Sequence, residues 1–193
     1  MTSILKVDTI QDADGNNIIN ESGNTITIGA SGDTTNIVGT LQNNGAGVGG
    51  VNEVLFFAYR SASDGQQTIG GGSNVKILLP TELYDTANAF SSSRFTVPSG
   101  KGGYYYLQGK LRDDFSGNHS RELMIWKNGS ALIMSREYSY DTTRHYTHVS
   151  GVFNLSASDY IEMYTYHSNS GTNRGIDGTD QLETSLMGYR LIT

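Results

Sequence analysis

The sequence predicts an all-β protein, a sandwich or jelly roll preceded by an extended β-rich segment, and three observations carry that expectation. Between residues 53 and 193 lie nine runs of alternating or continuous apolar character, at 54–60, 75–79, 94–97, 103–112, 121–127, 130–136, 147–155, 159–167 and 182–191. No stretch has a convincing helical period to compete with them. The composition also breaks near residue 52: every Phe, Tyr and Trp lies at Phe56 or beyond, and Lys6 is the only basic residue before Arg60. Nine short strands in one stretch, without helices, imply two packed sheets.

The first part is read element by element. Ile4-Leu5-Lys6-Val7-Asp8-Thr9-Ile10 is a strand candidate closed by an Asp14-Gly15-Asn16-Asn17 turn. A near-repeat of nine residues follows. Ser22-Gly23-Asn24-Thr25-Ile26-Thr27-Ile28 aligns with Ser31-Gly32-Asp33-Thr34-Thr35-Asn36-Ile37, and Ile26 and Ile28 alternate with Thr25 and Thr27. Without aromatic rings this part forgoes the roughly 150–250 Å² that each such side chain buries, so it is not expected to fold alone. Two repeat copies are too few for a free-standing solenoid, whereas three chains side by side supply the missing faces. A shaft formed by trimerisation is therefore expected, with a flexible tail as the alternative. Asn43-Asn44-Gly45-Ala46-Gly47-Val48-Gly49-Gly50 is a linker, and no Gly-x-y triplet period marks a collagen stalk. The expected division is 1–21 an anchor, 22–52 shaft and linker, and 53–193 a head.

In the head, Trp126-Lys127-Asn128-Gly129-Ser130-Ala131 is a hairpin, because Asn-Gly accepts the positive φ of a type I′ turn. Pro98 ends the 94–97 strand by removing a donor. Gly70-Gly71-Gly72 lacks a following Lys-Ser/Thr phosphate motif and is read as a loop. Alternation sends Tyr105 to the face opposite Tyr104 and Tyr106. It likewise parts Ile161 and Met163 from Tyr160, Glu162, Tyr164 and Tyr166. The expected core is Phe95, Leu111, Leu123, Ile125, Phe153, Ile161, Met163 and Leu191.

Composition removes several function classes. The net charge is −6, from 13 basic and 19 acidic residues, with no basic cluster of the kind nucleic-acid binding requires. Cysteine is absent, which excludes disulfides, thiolate metal sites and thiol nucleophiles. No apolar run approaches the roughly 18 residues of a membrane helix, and polar residues follow Met1 where a signal segment would be apolar. Neither membrane insertion nor Sec-type secretion is expected.

Read in order, the second part resembles the C1q/TNF-like jelly roll found at the ends of virus fibres. The matching residues are Phe56-Phe57-Ala58-Tyr59-Arg60, Tyr84-Asp85 with Phe90, Arg94-Phe95-Thr96-Val97-Pro98 and Gly103-Tyr104-Tyr105-Tyr106. They continue through Trp126-Lys127-Asn128-Gly129, Val152-Phe153-Asn154-Leu155, Asp159-Tyr160-Ile161-Glu162-Met163 and a closing Leu182, Thr184, Leu186, Gly188, Tyr189, Leu191. The opening residues resemble short fibre proteins of tailed phages, marine ones especially. The resemblance implies a homotrimer with Tyr residues on a buried interface strand, and Tyr104, Tyr106, Tyr160, Tyr164 and Tyr166 are the candidates. The 160–166 stripe is either that interface or a ligand platform.

The same resemblance implies a non-enzymatic virion fibre, assembled in the host cytoplasm and joined to other virion proteins through its N-terminal segment. It would present a head to a host surface glycan or protein, with no cofactor. A purely structural capsid decoration and a cellular C1q-like recognition protein are the alternatives. Receptor-binding candidates lie in loops 112–119 and 168–174: Asp113, Asp114, Phe115, Asn118, His119, Asn169, Asn173 and Arg174. Some C1q-like heads bind Ca²⁺ through loop acids, but Asp113-Asp114 with Asn118, and Asp177 with Asp180, match no ordered calcium-loop motif and are read as turn residues.

Enzymatic chemistry finds little to work with. His145 and His148 fall on opposite faces of one strand, wrong for two ligands of one metal. Asp85, Glu122, Glu137 and Glu162 are carboxylates with no readable pairing for glycoside hydrolysis, and no Gly-x-Ser-x-Gly elbow occurs. One prediction follows from the composition break. A chain beginning at Glu53 is expected to keep the full β-type circular dichroism of the head, and a 1–52 peptide alone to give a random-coil spectrum. An ordered isolated peptide would contradict it.

Overall fold

The computed structural model describes residues 53–193 except 115–116, 140–144, 172, 180 and 192–193, together with Gly39, 42–43 and 46–47. The chain divides into two units, Met1–Gly49 and Gly50–Thr193. In the first, Gln42–Asn43 (β1) pairs antiparallel with Ala46–Gly47 (β2). The strand candidate at 4–10 and the repeat at 22–37 lie outside the described residues.

The second unit is a jelly roll of two antiparallel sheets. Its strands are Leu55–Tyr59 (β3), Gln67–Gly70 (β4), Val75–Lys76 (β5), Thr81–Asp85 (β6), Phe90–Ser91 (β7), Arg94–Thr96 (β8) and Gly103–Asp113 (β9). His119–Lys127 (β10), Ser130–Ser139 (β11), His145–Leu155 (β12), Tyr160–His167 (β13), Asn173–Ile176 (β14) and Ser185–Arg190 (β15) complete them. Sheet one runs β12-β9-β15-β3-β6, with β14 and β4 continuing it from the Asp113 end of β9. Sheet two runs β11-β10-β13-β8-β7, and β5 also joins β13. From β8 onward the chain changes sheets between β8 and β9, β9 and β10, β11 and β12, β12 and β13, and β13 and β14, and the first and last long strands, β3 and β15, pair.

Aromatic rings bridge the sheets. Phe56 on β3 stacks on Phe95 of β8 with ring centroids 4.2 Å apart, Phe90 lies 5.7 Å from Phe56, and Tyr105 on β9 lies 5.7 Å from Phe95. All four are buried, and the Tyr105 hydroxyl reaches the Lys101 carbonyl at 2.6 Å, so its burial leaves no polar tip stranded. Leu107, Leu111, Leu123, Ile125, Ile161 and Met163 carry this core along the sandwich.

The Asn128-Gly129 turn has φ of 51° and 81°, the positive pair a type I′ hairpin needs. Asn128 donates to Asp159 at 2.7 Å and accepts from the Tyr160 amide at 2.9 Å, which ties the hairpin to β13. The Lys127 ammonium foremost, with Asn128 and the Ser156 amide, holds the Asp159 carboxyl down to about 2 against the opposing effect of burial.

Several expectations need correction. Gly70 belongs to β4 and only the next residues turn; the ladder in the 75–79 run stops at Lys76, although Ile77 and Leu79 remain buried. β4, β6, β7 and β14 lacked clear alternation and were not expected as strands. Phe153 and Leu191 are half-buried, not core. β12 pairs only with β9 among the described residues, so the Phe153 ring sits at an open margin, folded over Gly151. Leu191 lies one residue past β15. Accordingly Phe56→Ala is expected to cost about 3–5 kcal/mol in urea unfolding, and Phe153→Ala clearly less. Equal losses would show that the bridge is not where the core is concentrated.

Candidate functional site

Strand direction gives the head two unlike ends. The Glu53 end gathers the start of β3, the Lys101 turn, the Asn128-Gly129 hairpin and the turn before β13: Glu53 pairs with Lys101, and the Ser158 amide bonds the Val97 carbonyl at 2.9 Å. At the distal end lie the exits of β3, β9 and β13 and the entries of β10, β12 and β15. Both candidate receptor loops are at this end.

They are less loop-like than their composition suggests. Asp113 is the last residue of β9 and fully buried, its carboxylate 2.8 Å from the buried Arg121 guanidinium. His119 opens β10 and is buried as well. These two are therefore corrected from surface-loop to interior positions: alternation along β9 and β10 turns them between the sheets. Asn173 and Arg174 belong to β14, paired with β4, with Asn173 exposed and Arg174 half-buried. Asp114 and Asn118 are exposed and Asn169 is half-buried. Phe115 lies outside the described residues.

Around them is a polar network no local pattern announced. Arg112 reaches Glu183 at 3.0 Å and Asp177 at 3.7 Å, and Glu183 also accepts from Tyr146 at 2.8 Å and Thr179 at 2.9 Å. Burial raises the Glu183 carboxyl, but the hydrogen bonds from Tyr146 and Thr179 and the Arg112 charge outweigh it and hold the group below its usual range.

The candidate interface tyrosines fall on two different outer faces. Tyr104 and Tyr106 lie outward on sheet one. Its register sets Val152, Tyr106, Tyr189 and Leu55 in one row across β12, β9, β15 and β3, and Ser150, Gln108, Met187, Phe57 and Tyr84 in the next. Tyr104 is 50% exposed and Val152 52%. Tyr106 packs on Tyr189 with centroids 5.3 Å apart, and Phe57 meets Tyr84 edge-on at 5.8 Å. This is a broad aromatic and aliphatic face.

Tyr160, Tyr164 and Tyr166 lie outward on sheet two, in a self-contained cluster. Trp126 stacks on Tyr164 at 4.1 Å, and the Arg94 guanidinium covers the Tyr160 ring at 4.0 Å. Glu162 between them is buried, with Lys76 at 2.7 Å and Arg94 at 2.9 Å. Burial pushes its carboxyl up, yet the hydrogen bonds and charges of Lys76 and Arg94 prevail and hold it low. The Tyr164 hydroxyl is raised, by burial first and by Glu162 next. Glu122 is likewise occupied, by Arg136 at 2.7 Å. Sequence reasoning placed Glu162 on the outward stripe but had no means to see Lys76 and Arg94, which arrive from separate strands.

Two antiparallel sheets with these crossings make a C1q/TNF-like jelly roll. No family model matches the sequence, and no curated relative does. Among solved structures, the head is similar to the globular domain of zebrafish complement 1qA protein (12% identity, TM-score 0.50, 72% of this chain and 98% of that one). It is similar also to the Eiger TNF of S. frugiperda (12%, 0.51, 72% and 92%) and to murine APRIL (12%, 0.52, 72% and 98%). At this identity the likeness is one of fold.

The ionic cluster on sheet two yields a test. Removing the shared carboxylate with Glu162→Ala leaves two cations facing each other, and the expected cost is about 1–2 kcal/mol in urea unfolding, limited because Lys76 and Arg94 keep partial access to water. An unchanged midpoint would show that the cluster contributes nothing.

Proposed function

We propose that this chain is a non-enzymatic binding protein whose head assembles as a homotrimer through the outer face of sheet one. We propose further that it serves as a virion fibre of a tailed phage and presents the distal end of that head to the host surface. The observation that carries the assembly is the two-row aromatic face on β12, β9, β15, β3 and β6. Monomeric proteins rarely leave so continuous an apolar surface in water, and the ion pairs on this side of the sheet, Arg112 with Glu183 and Asp177, lie beyond its two aromatic rows, towards the distal end. Tyr104 and Tyr106 belong to this interface. Tyr160, Tyr164 and Tyr166 do not, because their face is filled by its own stacking and ion pairs.

The fibre reading is supported by the order of parts: an aromatic-free, Gly-, Asn- and Thr-rich segment with a short repeat, then a head whose N-terminal end is opposite its polar loops. Recognition falls to the exposed distal residues Asp114 and Asn118 on the β9–β10 connection and Asn173 at the start of β14, held by a rigid sandwich. Three heads on one fibre gain avidity from individually weak contacts.

Light scattering is expected to give three times the 20.9 kDa chain mass, and Tyr106→Glu to give one, with unchanged circular dichroism. A native monomer, or a trimer indifferent to Tyr106→Glu, overturns the assembly. Alanine at Asn118 and Asn173 is expected to weaken attachment to host cells with the trimer intact. Trp126, the sole tryptophan, reports sheet two meanwhile: an emission shift on binding would move the recognition surface there. Failure of the chain to co-purify with assembled virus particles would remove the virion role and leave the trimer standing.

A further inference from the structure

We propose that His119 and His167 form an acid-sensitive latch for the distal end of the head: as neutral imidazoles they close the sandwich there, and their protonation releases the segments they hold while the Glu53 end stays shut. His119 opens β10 and His167 closes β13, on neighbouring strands. Both point between the sheets, at 1% and 0% exposure, with ring centroids 6.0 Å apart. The Gly117 backbone lies beside the His119 ring and the Ile69 backbone beside the His167 ring, so the pair packs between the β9–β10 connection and β4.

The same few residues carry the remaining closures. The Ser120 amide donates to the Ser168 hydroxyl at 2.9 Å, the Ser168 amide to the Ser120 carbonyl at 3.0 Å, and the Gly72 amide to the His167 carbonyl at 2.8 Å. The packing leaves no slack: a Cβ on Gly71 would lie 2.0 Å from the Asn169 carbonyl oxygen and 2.5 Å from the His167 ring. An imidazolium at this position has no room to swing towards water without lifting the β4–β5 turn or the segment after β13.

The surrounding charges oppose a proton. β10 contributes Arg121 and β14 contributes Arg174, and both act on His119. Arg174 acts on His167 as well. From β9 comes one buried carboxylate, Asp113, already 2.8 Å from Arg121. β11 brings Glu137, exposed and 3.5 Å from Thr147, and β12 brings His145, half-buried and opposite Asp113 in the ladder. β4 brings no titratable side chain. A proton on either ring therefore enters a buried site where positive charge already predominates among the described residues.

The sign follows. Burial foremost lowers both rings below the ordinary histidine value of 6.5, helped by Arg121, His167 and Arg174 at His119 and by Arg174 at His167, and it outweighs the Gly117 and Ile69 backbones, which favour the proton. An opened distal end binds protons more readily than a closed one. The closed form is thus fully favoured above about pH 6.5 and loses ground as the pH falls below it. Among the described residues the opposite end has no buried histidine: in its aromatic bridge only the Tyr105 hydroxyl can ionise, and burial raises it further from the acid range, while Asp159 stays ionised down to about 2.

Hydrogen exchange of the full chain at pH 7.5 and pH 5.0, corrected for intrinsic rates, tests the latch. Peptides covering 67–72, 117–121 and 165–169 are expected to lose protection by about tenfold or more, the factor that one pKa unit produces. Those covering 54–58, 103–107 and 125–130 are expected to keep theirs. In proton NMR of the same chain, the two rings should titrate below the ordinary histidine value of 6.5. No loss at the distal end, equal loss at both ends, or titration of the two rings at or above the ordinary histidine value each overturns the proposal. The His119→Gln, His167→Gln chain is expected to lose the pH response, and a native-like response in it is equally fatal; the native titration decides the matter by itself.

Discussion

The contact on which the rest of the head depends is the stack of Phe56 on Phe95, flanked by Phe90 and Tyr105. It joins β3 and β9 of one sheet to β7 and β8 of the other with rings close enough to exclude water from the whole Glu53 end. Once the sheets are clamped there, alternation along β9, β10 and β13 decides what lies between them further out. The aliphatic middle gives way at the distal end to Asp113, Arg121, His119 and His167. The interior thus changes from apolar to ionic along its length.

The two outer faces differ for a related reason. Sheet two presents charged residues beside its rings, so Lys76, Arg94 and Glu162, or Arg136 and Glu122, neutralise one another while Trp126 and Tyr164 stack. Sheet one presents Tyr, Phe, Met, Leu and Val in rows across its strands, and their exposed surface has only other apolar surface to gain from. The proposed assembly follows from that asymmetry: a face that has satisfied itself gains little from a partner, and a face that has not gains much.

In the proposed fibre the binding end is the distal one. It exposes polar residues at Asp114, Asn118 and Asn173, while Arg112, Asp177, Glu183 and Tyr146 fix the strands beneath. In the proposed latch the same end depends on two neutral imidazoles, so its rigidity is conditional where that of the Glu53 end is not.

The all-β class was legible in the sequence, along with most long strands, the Asn128-Gly129 hairpin and the parting of Tyr105 from Tyr104 and Tyr106, because each depends on neighbours one or two residues away and on a period of two. Short strands such as β4, β7 and β14 were not, since two to four residues carry no period and form only because a long strand offers an edge. Nor was it legible that Tyr106 and Tyr164 occupy different faces of the molecule, that Phe153 lies at an open margin, or that Asp113 and His119 are interior. Alternation tells which residues share a side of one strand; only the pairing of strands into sheets, and of sheets into a sandwich, decides which side meets the core. Arg94 and Glu162, or Asp113 and Arg121, meet through that arrangement, across separations in the chain that no local pattern spans.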